Sequence, residues 1–150
     1  MGFPRKMSSL DDLSKGEFLQ VIDEIDDLHP IDVKRIVLRS GKVYYDLLEE
    51  RRRRGQKDIA IVRVEQLYPF PSKGLTHILN RYQNAKDLVW CQEEPSNQGA
   101  WHQIHHRLVD IKKPRHTLRY AGRVSAASPA AGYMSVHAAQ QQALVADALD

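Results

Sequence analysis

The chain has 150 residues, of which 42% are hydrophobic and 27% are charged, and its net charge at pH 7 is +3. This composition is typical of one soluble globular domain and excludes a disordered or collagen-like chain. The small excess of positive charge does not favour nucleic-acid binding. The single cysteine excludes an internal disulfide and fits a reducing compartment. No apolar run reaches the ~20 residues of a membrane span.

The chain begins without a periodic pattern. We expect residues 1–7 to be a disordered start or a cloning remnant at a cut inside a longer protein, and residues 8–150 to form the domain. The apolar run 18–22 predicts a short strand. The acidic segment 23–32, which contains a proline, predicts a surface loop.

From residue 35 onwards, short apolar runs alternate with helical patterns. The predicted strands cover residues 35–38, 59–64, 88–91 and 118–121. The predicted helices cover residues 43–54, 75–82, 100–111 and 135–149. Strand–helix units at a spacing of about 30 residues predict an α/β fold with a mostly parallel, doubly wound sheet and helices on both faces. The runs are continuously apolar, as expected when both faces of the sheet are buried.

The first candidate site is the turn Arg39-Ser40-Gly41-Lys42, which follows a predicted strand and precedes a helix. Ligands of open parallel sheets bind beyond the carboxyl ends of the strands, where free backbone N–H groups and positive side chains attract anions. The turn therefore predicts an anion-binding site, although an ordinary strand–helix turn explains the same residues. It lacks the spacing of an ATPase phosphate loop.

Carboxylates, histidines and a cysteine form the other candidates. Glu93 and Glu94 follow a predicted strand and could perform acid–base chemistry, but no nucleophile accompanies them, and a turn-fixing or interface role is favoured. His102, His105 and His106 follow Cys91, and the spacing of His102 and His106 can bind zinc. The lack of a flanking Glu as general base and of a second Cys nevertheless favours an exposed helix face. Cys91 follows apolar residues, so an inert buried thiol is expected.

The arginine run 51–54 lies at the predicted end of a helix. Cations stabilise the negative end of a helix, and such runs are usually solvated. Binding of RNA or of an acidic partner is the alternative, although no aromatic residues are interleaved with the arginines.

Several segments closely resemble one enzyme family. They are SGKVYYDL (40–47), IVRVEQLYPFP (61–71), WCQEEP (90–95), NQGAW (97–101), LRYAGR (118–123), ASPA (127–130) and VH (136–137). From about Ser8 onwards the chain resembles, in register, the C-terminal region of the thiamine-dependent first component of the 2-oxoglutarate dehydrogenase complex, most closely its bacterial form. The resemblance implies a transketolase C-terminal-type α/β domain, which agrees with the strand–helix pattern.

The resemblance implies that catalysis lies outside this chain. In the family, thiamine diphosphate and magnesium bind between two preceding domains, and the residues that hold them have no counterpart here. No catalytic, cofactor-binding or metal-binding residue is therefore assigned. We expect the chain to be an inactive part of a parent enzyme that oxidatively decarboxylates 2-oxoglutarate and transfers the succinyl group to a lipoyl group in the citric acid cycle.

The resemblance also implies partners and a location. The C-terminal domain of the family stabilises a homodimer, so the remaining domains and the second subunit are expected neighbours. Dihydrolipoyl succinyltransferase and lipoamide dehydrogenase are the expected partners in the complex. Neither nucleic acid nor a membrane is expected, and the expected location is the bacterial cytoplasm.

In actinobacterial relatives this domain helps to form a site for the activator acetyl-CoA. In that site a lysine and a glutamine align with Lys42 and Gln98, a threonine with Arg39, and two arginines with His105 and His106. Replacing two permanent cations by mostly neutral imidazoles should weaken phosphate binding near pH 7, with partial compensation from Arg39. The candidate regulatory anion or CoA site comprises Arg39, Ser40, Lys42, Gln98, His105 and His106.

Two other functions remain open. One is a stand-alone module that binds a CoA- or nucleotide-like anion at the turn 40–42. The other is an RNA-contacting domain that uses the arginine run 51–54 and whose binding depends steeply on salt. The natural reading frame separates the enzyme part from the module, because only the enzyme part requires many hundred residues upstream.

Overall fold

The computed structural model describes residues 20–95, 98–123 and 134–150 and shows one sheet flanked by helices. The strands are β1 (Val21–Ile22), β2 (Arg35–Arg39), β3 (Ile59–Val64), β4 (Asp87–Gln92) and β5 (Thr117–Gly122). The helices are α1 (Val43–Arg54), α2 (Ser72–Arg81), α3 (Trp101–Ile111) and α4 (Met134–Leu149), and a 3-10 turn covers Pro30–Asp32. The expectation for residues 1–7 lies outside the described residues.

The sheet has the strand order β1-β3-β2-β4-β5. Strands β2 to β5 are parallel to one another, and β1 pairs antiparallel with β3. Because β3 and β4 lie on opposite sides of β2, right-handed crossovers place α1 and α2 on opposite faces of the sheet. The predicted α/β class with a mostly parallel, doubly wound sheet is confirmed.

An apolar core lies on each face of the sheet. Leu38 and Trp90 pack with the buried residues of α2 and α3 on one face. Val37 and Val89 pack with those of α1 and α4 on the other face. Neighbouring residues of β2 and β4 thus enter different cores, which explains why both strands are continuously apolar. Within the described ranges, no helix combines the length and the apolarity that crossing a bilayer requires.

The end of α1 shows how the local sequence sets a helix boundary. Gly55 follows the helix with a φ of 69°, in the left-handed region that favours glycine. The backbone N–H groups of Gly55 and Gln56 donate to the carbonyl oxygens of Arg52 and Arg51, at 3.1 and 3.2 Å. These bonds satisfy carbonyl groups that the helix itself leaves free.

The acidic segment 23–32 is not the simple surface loop that the sequence predicts. The side chain of Glu24 is buried, and its carboxylate accepts hydrogen bonds from Arg51 and from the backbone N–H of Ile61, the latter at 2.7 Å. Acidic residues beside a proline usually indicate exposure. A carboxylate can nevertheless be buried when an opposite charge and hydrogen bonds compensate its lost hydration, and here the partners come from α1 and β3.

Candidate functional site

The carboxyl ends of β2 and β4 are neighbours at the place where the chain diverges to opposite faces of the sheet. After β2 the chain enters α1 on one face, and after β4 it enters α3 on the other. Such a divergence opens a crevice beyond the strand ends, where ligands of doubly wound sheets bind. The segments 39–42, 92–95, 98–101 and 102–106 therefore all lie at or near this edge, as the sequence predicts.

Gln92, the last residue of β4, organises the loop that follows the strand and is only 1% exposed. Its side-chain oxygen accepts hydrogen bonds from Trp90 Nε1 at 2.8 Å and from the backbone N–H of Trp101 at 2.9 Å. Its Nε2 group donates over 2.8–3.1 Å to the carbonyl oxygens of Glu94, Pro95 and Gln98. Sequence reasoning missed this role, and the only signal for it is a polar residue that ends an apolar run.

The β2–α1 turn holds Arg39, Ser40 and Lys42. Gly41 has a φ of 81°, so the expected tight turn is present. Lys42 is exposed, whereas Arg39 is only 2% exposed. The guanidinium group of Arg39 donates to the carbonyl oxygen of Gly41 and lies 5.0 Å from the ring centre of Tyr44 in α1. Arg39 thus lies on the α1 face of the sheet.

Gln98, His105 and His106 lie on the α3 side of the crevice, and all three are exposed. His105 packs edge-on against Trp101, with 4.7 Å between the ring centres. In the part of the chain that the structure describes, no hydrogen bond or ion pair joins these three residues to Arg39, Ser40 or Lys42. The six residues of the candidate regulatory site thus come from two segments, the β2–α1 turn and residues 98–106.

The zinc alternative for His102 and His106 finds no support. Both side chains are exposed on α3, as the favoured interpretation predicts. Among residues 20–95, 98–123 and 134–150, no group of three or more His, Cys, Asp and Glu side chains could hold a metal ion.

Cys91 is fully buried in the core between the sheet and α1 and α4. Burial is the main cause that raises the pKa of its thiol to about 12. The expected burial of this cysteine is confirmed, and a thiol that stays protonated is a poor nucleophile.

A polar network from α4 covers the edge beside β4. Gln141 Nε2 donates to Asp46 Oδ2 and to Glu93 Oε2, each at 2.8 Å. Arg123 donates to the carbonyl oxygen of Glu93 at 2.9 Å and to Gln141 Oε1 at 3.2 Å. Gln141 of α4 therefore links α1 to Glu93, the residue that follows β4, so Glu93 has the architectural role favoured from the sequence. Glu94 is exposed, and its carbonyl oxygen accepts a hydrogen bond from Tyr120.

The arginine run 51–54 is not solvated throughout, so this prediction is wrong for Arg51. Its side chain is 1% exposed and donates to Glu24 and to Asp26, the latter at 2.6 Å. The other three arginines also pair with carboxylates: Arg52 with Asp26, and Arg53 and Arg54 with Glu50. Because each arginine has a carboxylate partner, the run does not form the concentrated positive face that RNA binding requires.

The fold and this edge define an open, doubly wound α/β domain in which the buried polar groups at the strand ends mainly support loops and helix starts. The comparison with known proteins is more specific. The chain belongs to the 2-oxoglutarate dehydrogenase C-terminal family, whose model matches residues 7–149. The resemblance found in the sequence is thereby confirmed.

Two bacterial relatives show how much of the chain this similarity covers. The chain is 56% identical over 146 residues to the 2-oxoglutarate dehydrogenase E1 component of Haemophilus influenzae and 52% identical over 145 residues to that of Azotobacter vinelandii. The alignments cover 97% and 95% of this chain, but only 16% and 15% of the relatives. The chain thus spans about a sixth of the length of these relatives.

Proposed function

We propose that this chain is the C-terminal, dimer-stabilising domain of the E1 component of a bacterial 2-oxoglutarate dehydrogenase complex in the cytoplasm. The parent enzyme oxidatively decarboxylates 2-oxoglutarate and transfers the succinyl group to a lipoyl group in the citric acid cycle. The observation that carries this proposal is 56% identity across 97% of the chain to a protein named as that E1 component.

Thiamine diphosphate and magnesium belong, in this proposal, to the parts of the parent enzyme outside this chain. Magnesium prefers several oxygen ligands, usually carboxylates together with phosphate groups and water. The described residues include no group of three or more acidic, histidine or cysteine side chains suited to a metal ion. The described residues therefore do not offer the set of oxygen ligands that magnesium and thiamine diphosphate require, and no chemical step is assigned to residues of this chain.

The role of the domain is to support the rest of the enzyme. Gln92 and Gln141 fix the loops at the strand ends through the hydrogen bonds given above, so the edge is held by several elements at once. Tyr45 and Tyr68 expose their rings near the carboxyl ends of β2 and β3. Exposed tyrosines suit protein contacts, which supports the remaining domains and the second subunit as neighbours. The further partners in this proposal are dihydrolipoyl succinyltransferase and lipoamide dehydrogenase.

The test compares three preparations: the whole natural polypeptide, the same polypeptide without residues 20–150, and this chain alone. Each receives thiamine diphosphate, magnesium, 2-oxoglutarate and an artificial electron acceptor, and sedimentation gives its oligomeric state. We expect the whole polypeptide to be an active dimer, and the truncated form to lose both the dimer and the activity. Turnover by this chain alone, or an active dimer without it, contradicts the proposal.

The competing function is a stand-alone module that binds a CoA- or nucleotide-like anion. The natural reading frame decides between the two. The enzyme proposal expects many hundred codons upstream of Met1, whereas a native start at Met1 supports the module.

Regulatory anion binding in the β2–β4 crevice is a second proposal. Lys42, His105 and His106 are exposed, and none of them forms an ion pair with a carboxylate of the described chain. Calorimetry of the whole enzyme with acetyl-CoA tests the idea, with Lys42→Ala as the variant and Lys57→Ala, an exposed lysine before β3, as the control. Loss of binding in Lys42→Ala alone supports the site, and a flat titration of the unaltered enzyme removes it.

A further inference from the structure

Two arginines lie side by side where β2 and β3 end. The register of these strands pairs Arg39 with Arg63. The guanidinium carbons of Arg39 and Arg63 lie 5.0 and 4.6 Å from the same ring centre, that of Tyr44 in α1. Arg39 is almost fully buried, and the side chain of Arg63 is 24% exposed. The two permanently charged guanidinium groups thus lie beside the same aromatic ring, partly shielded from water, on the α1 face of the sheet.

Glu65 is the carboxylate that meets both arginines. Glu65 Oε2 lies 3.5 Å from Arg39 Nη1, and Glu65 Oε1 lies 3.2 Å from Arg63 Nη2. These distances are long for charge-assisted hydrogen bonds, which are usually about 2.7–2.9 Å. The side chain of Glu65 is 35% exposed. The partly solvated carboxylate of Glu65 is therefore shared by two largely buried guanidinium groups, and these three side chains together carry a net charge of about +1.

Several donors of this pair lack acceptors in the described chain. Arg39 Nε, Arg39 Nη1 and Arg63 Nε are buried and form no hydrogen bond there. Burial lowers the pKa of the Arg39 guanidinium, an effect that Glu65 opposes and Arg63 increases. Buried donors without acceptors are costly, so this arrangement has positive charge and hydrogen-bonding capacity in excess of what Glu65 satisfies.

The guanidinium group of Arg39 also reaches the turn before α1. Arg39 donates to the carbonyl oxygen of Gly41, two residues before the helix begins at Val43. No side chain caps the N-terminus of this 12-residue helix. Free backbone N–H groups and the helix dipole favour an anion at such an end. The buried arginine is a second, independent feature that selects the same kind of ligand.

We propose that Arg39 and Arg63 bind a phosphoryl group, either as free phosphate or in a small phosphate ester, and that Glu65 occupies the site when no ligand is bound. A dianionic phosphoryl group matches both positive charges, whereas Glu65 matches one. Guanidinium groups recognise phosphate through paired N–H bonds. The site shares Arg39 with the regulatory anion site proposed above, which it deepens by adding Arg63 and Glu65 from the β3 side. It does not depend on the enzyme assignment.

The test is calorimetry of the complete 150-residue chain with inorganic phosphate and with methyl phosphate, at constant ionic strength. In Arg63→Gln the affinity should fall about tenfold or more, because a charge-assisted contact is lost. In Glu65→Gln the affinity should rise about three- to tenfold, because the competing carboxylate is removed. Arg53→Gln, the same change at an exposed position at the other end of α1, should leave the affinity unchanged.

Each possible result of these titrations either supports or overturns the proposal. Similar affinities for the two probes identify a phosphate ester as the ligand class, and binding of inorganic phosphate alone identifies the free anion. No binding of either probe, or equal affinities of the unaltered chain and a folded Arg63→Gln variant, overturns the proposal. If circular dichroism shows that Arg63→Gln does not fold, the exposed variant Glu65→Gln decides, and an unchanged or weaker affinity there overturns it.

Discussion

Two arginine clusters on the α1 face of the sheet differ in their balance of charge. In the closed cluster, Arg51 meets the two carboxylates of Glu24 and Asp26, with 2.8 Å from Arg51 Nη2 to Glu24 Oε2 and 2.6 Å to Asp26 Oδ2. In the open cluster, Arg39 and Arg63 share the single carboxylate of Glu65 at 3.5 and 3.2 Å. The first has short contacts and balanced charge, because Asp26 also pairs with Arg52, whereas the second has long contacts and two positive charges for one carboxylate.

This difference separates a structural ion cluster from one that can take a ligand. The closed cluster also uses the carbonyl oxygen of Ile59 and the backbone N–H of Ile61, so it ties the segment before β2 to α1 and β3. The buried donors of Arg51 are paired with carboxylate and carbonyl oxygens, so an added anion would find no unpaired donor on Arg51 to bind. In the open cluster, an added anion satisfies groups that the described chain leaves without acceptors.

The largest expected effect is in the closed cluster. Arg51→Met leaves Glu24 buried without its counter-charge, and we expect the free energy of unfolding to fall by about 3–5 kcal/mol. Denaturant unfolding measures this change. Arg53→Met is the matched control, because Arg53 is exposed and solvent screens its pair with Glu50, so the loss should be small. Equal losses in the two variants contradict the structural role of Arg51.

Gln92 extends the comparison to an uncharged group whose partners are all present. Gln92→Leu removes the acceptor of two N–H groups, those of Trp90 Nε1 and the Trp101 backbone, and the donor to three carbonyl groups. We expect a loss of about 3 kcal/mol, because buried partners remain unsatisfied. Denaturant unfolding followed by tryptophan fluorescence measures it. The exposed Gln83→Leu is the control, and a similarly small effect in both variants contradicts the role of Gln92.

His116 is a buried group with one partner missing, since its Nε2 atom has no hydrogen bond in the described chain. Burial, and then the charges of Arg115, Lys112 and Lys113, lower its pKa from 6.5 to about 4. The unfolded chain therefore takes up a proton first as the pH falls. Stability is present above about pH 6.5 and is lost towards pH 4, by up to about 3 kcal/mol.

Unfolding free energies between pH 7 and pH 4 test this dependence. His116→Asn removes the titration but keeps a side-chain acceptor for the backbone N–H of Lys113, which lies 2.9 Å from His116 Nδ1. We expect the variant to lose less stability over this range than the unaltered chain. Parallel pH profiles of the two proteins contradict a neutral, buried His116.

The smallest effect is expected in the open cluster. Arg63→Gln removes a positive charge that repels Arg39 and leaves Glu65 to pair with Arg39 alone, so the free energy of unfolding should change by less than about 1 kcal/mol. The same denaturant experiment measures it beside Arg51→Met. If Arg63→Gln costs as much as Arg51→Met, the two clusters do not differ as described.

The sequence predicts those features of the fold that depend on local patterns. The runs 35–38, 59–64 and 88–91 give parallel strands whose residues are mostly buried on both faces of the sheet. The run 118–121 gives the fourth parallel strand, which lies at the edge of the sheet and is mostly half-buried. Gly41 and Gly55 mark turns because both occupy the left-handed region. The antiparallel pairing of β1 is not predictable from its short apolar run, since it depends on contacts with β3.

The candidate site is predicted in position but not in its contacts. The strand-end rule places Arg39, Lys42 and Gln98 at one edge of the sheet, as the structure does. Nothing in the run 51–54 distinguishes Arg51 from its neighbours, because its partner Glu24 is 27 positions away. The link from Gln141 to Asp46 spans 95 positions. Pairing over such distances depends on the packed structure, which local patterns do not encode.

The most direct test of the central claim is the thermal unfolding of this chain in phosphate and in chloride at equal ionic strength. A ligand that binds the folded but not the unfolded chain raises the free energy of unfolding, by an amount that grows with the logarithm of its concentration above Kd. We expect phosphate to raise the unfolding temperature of the unaltered chain but not that of Arg63→Gln. An equal shift in both proteins, or no shift in either, contradicts the claim that the surplus positive charge of Arg39 and Arg63 marks a ligand site.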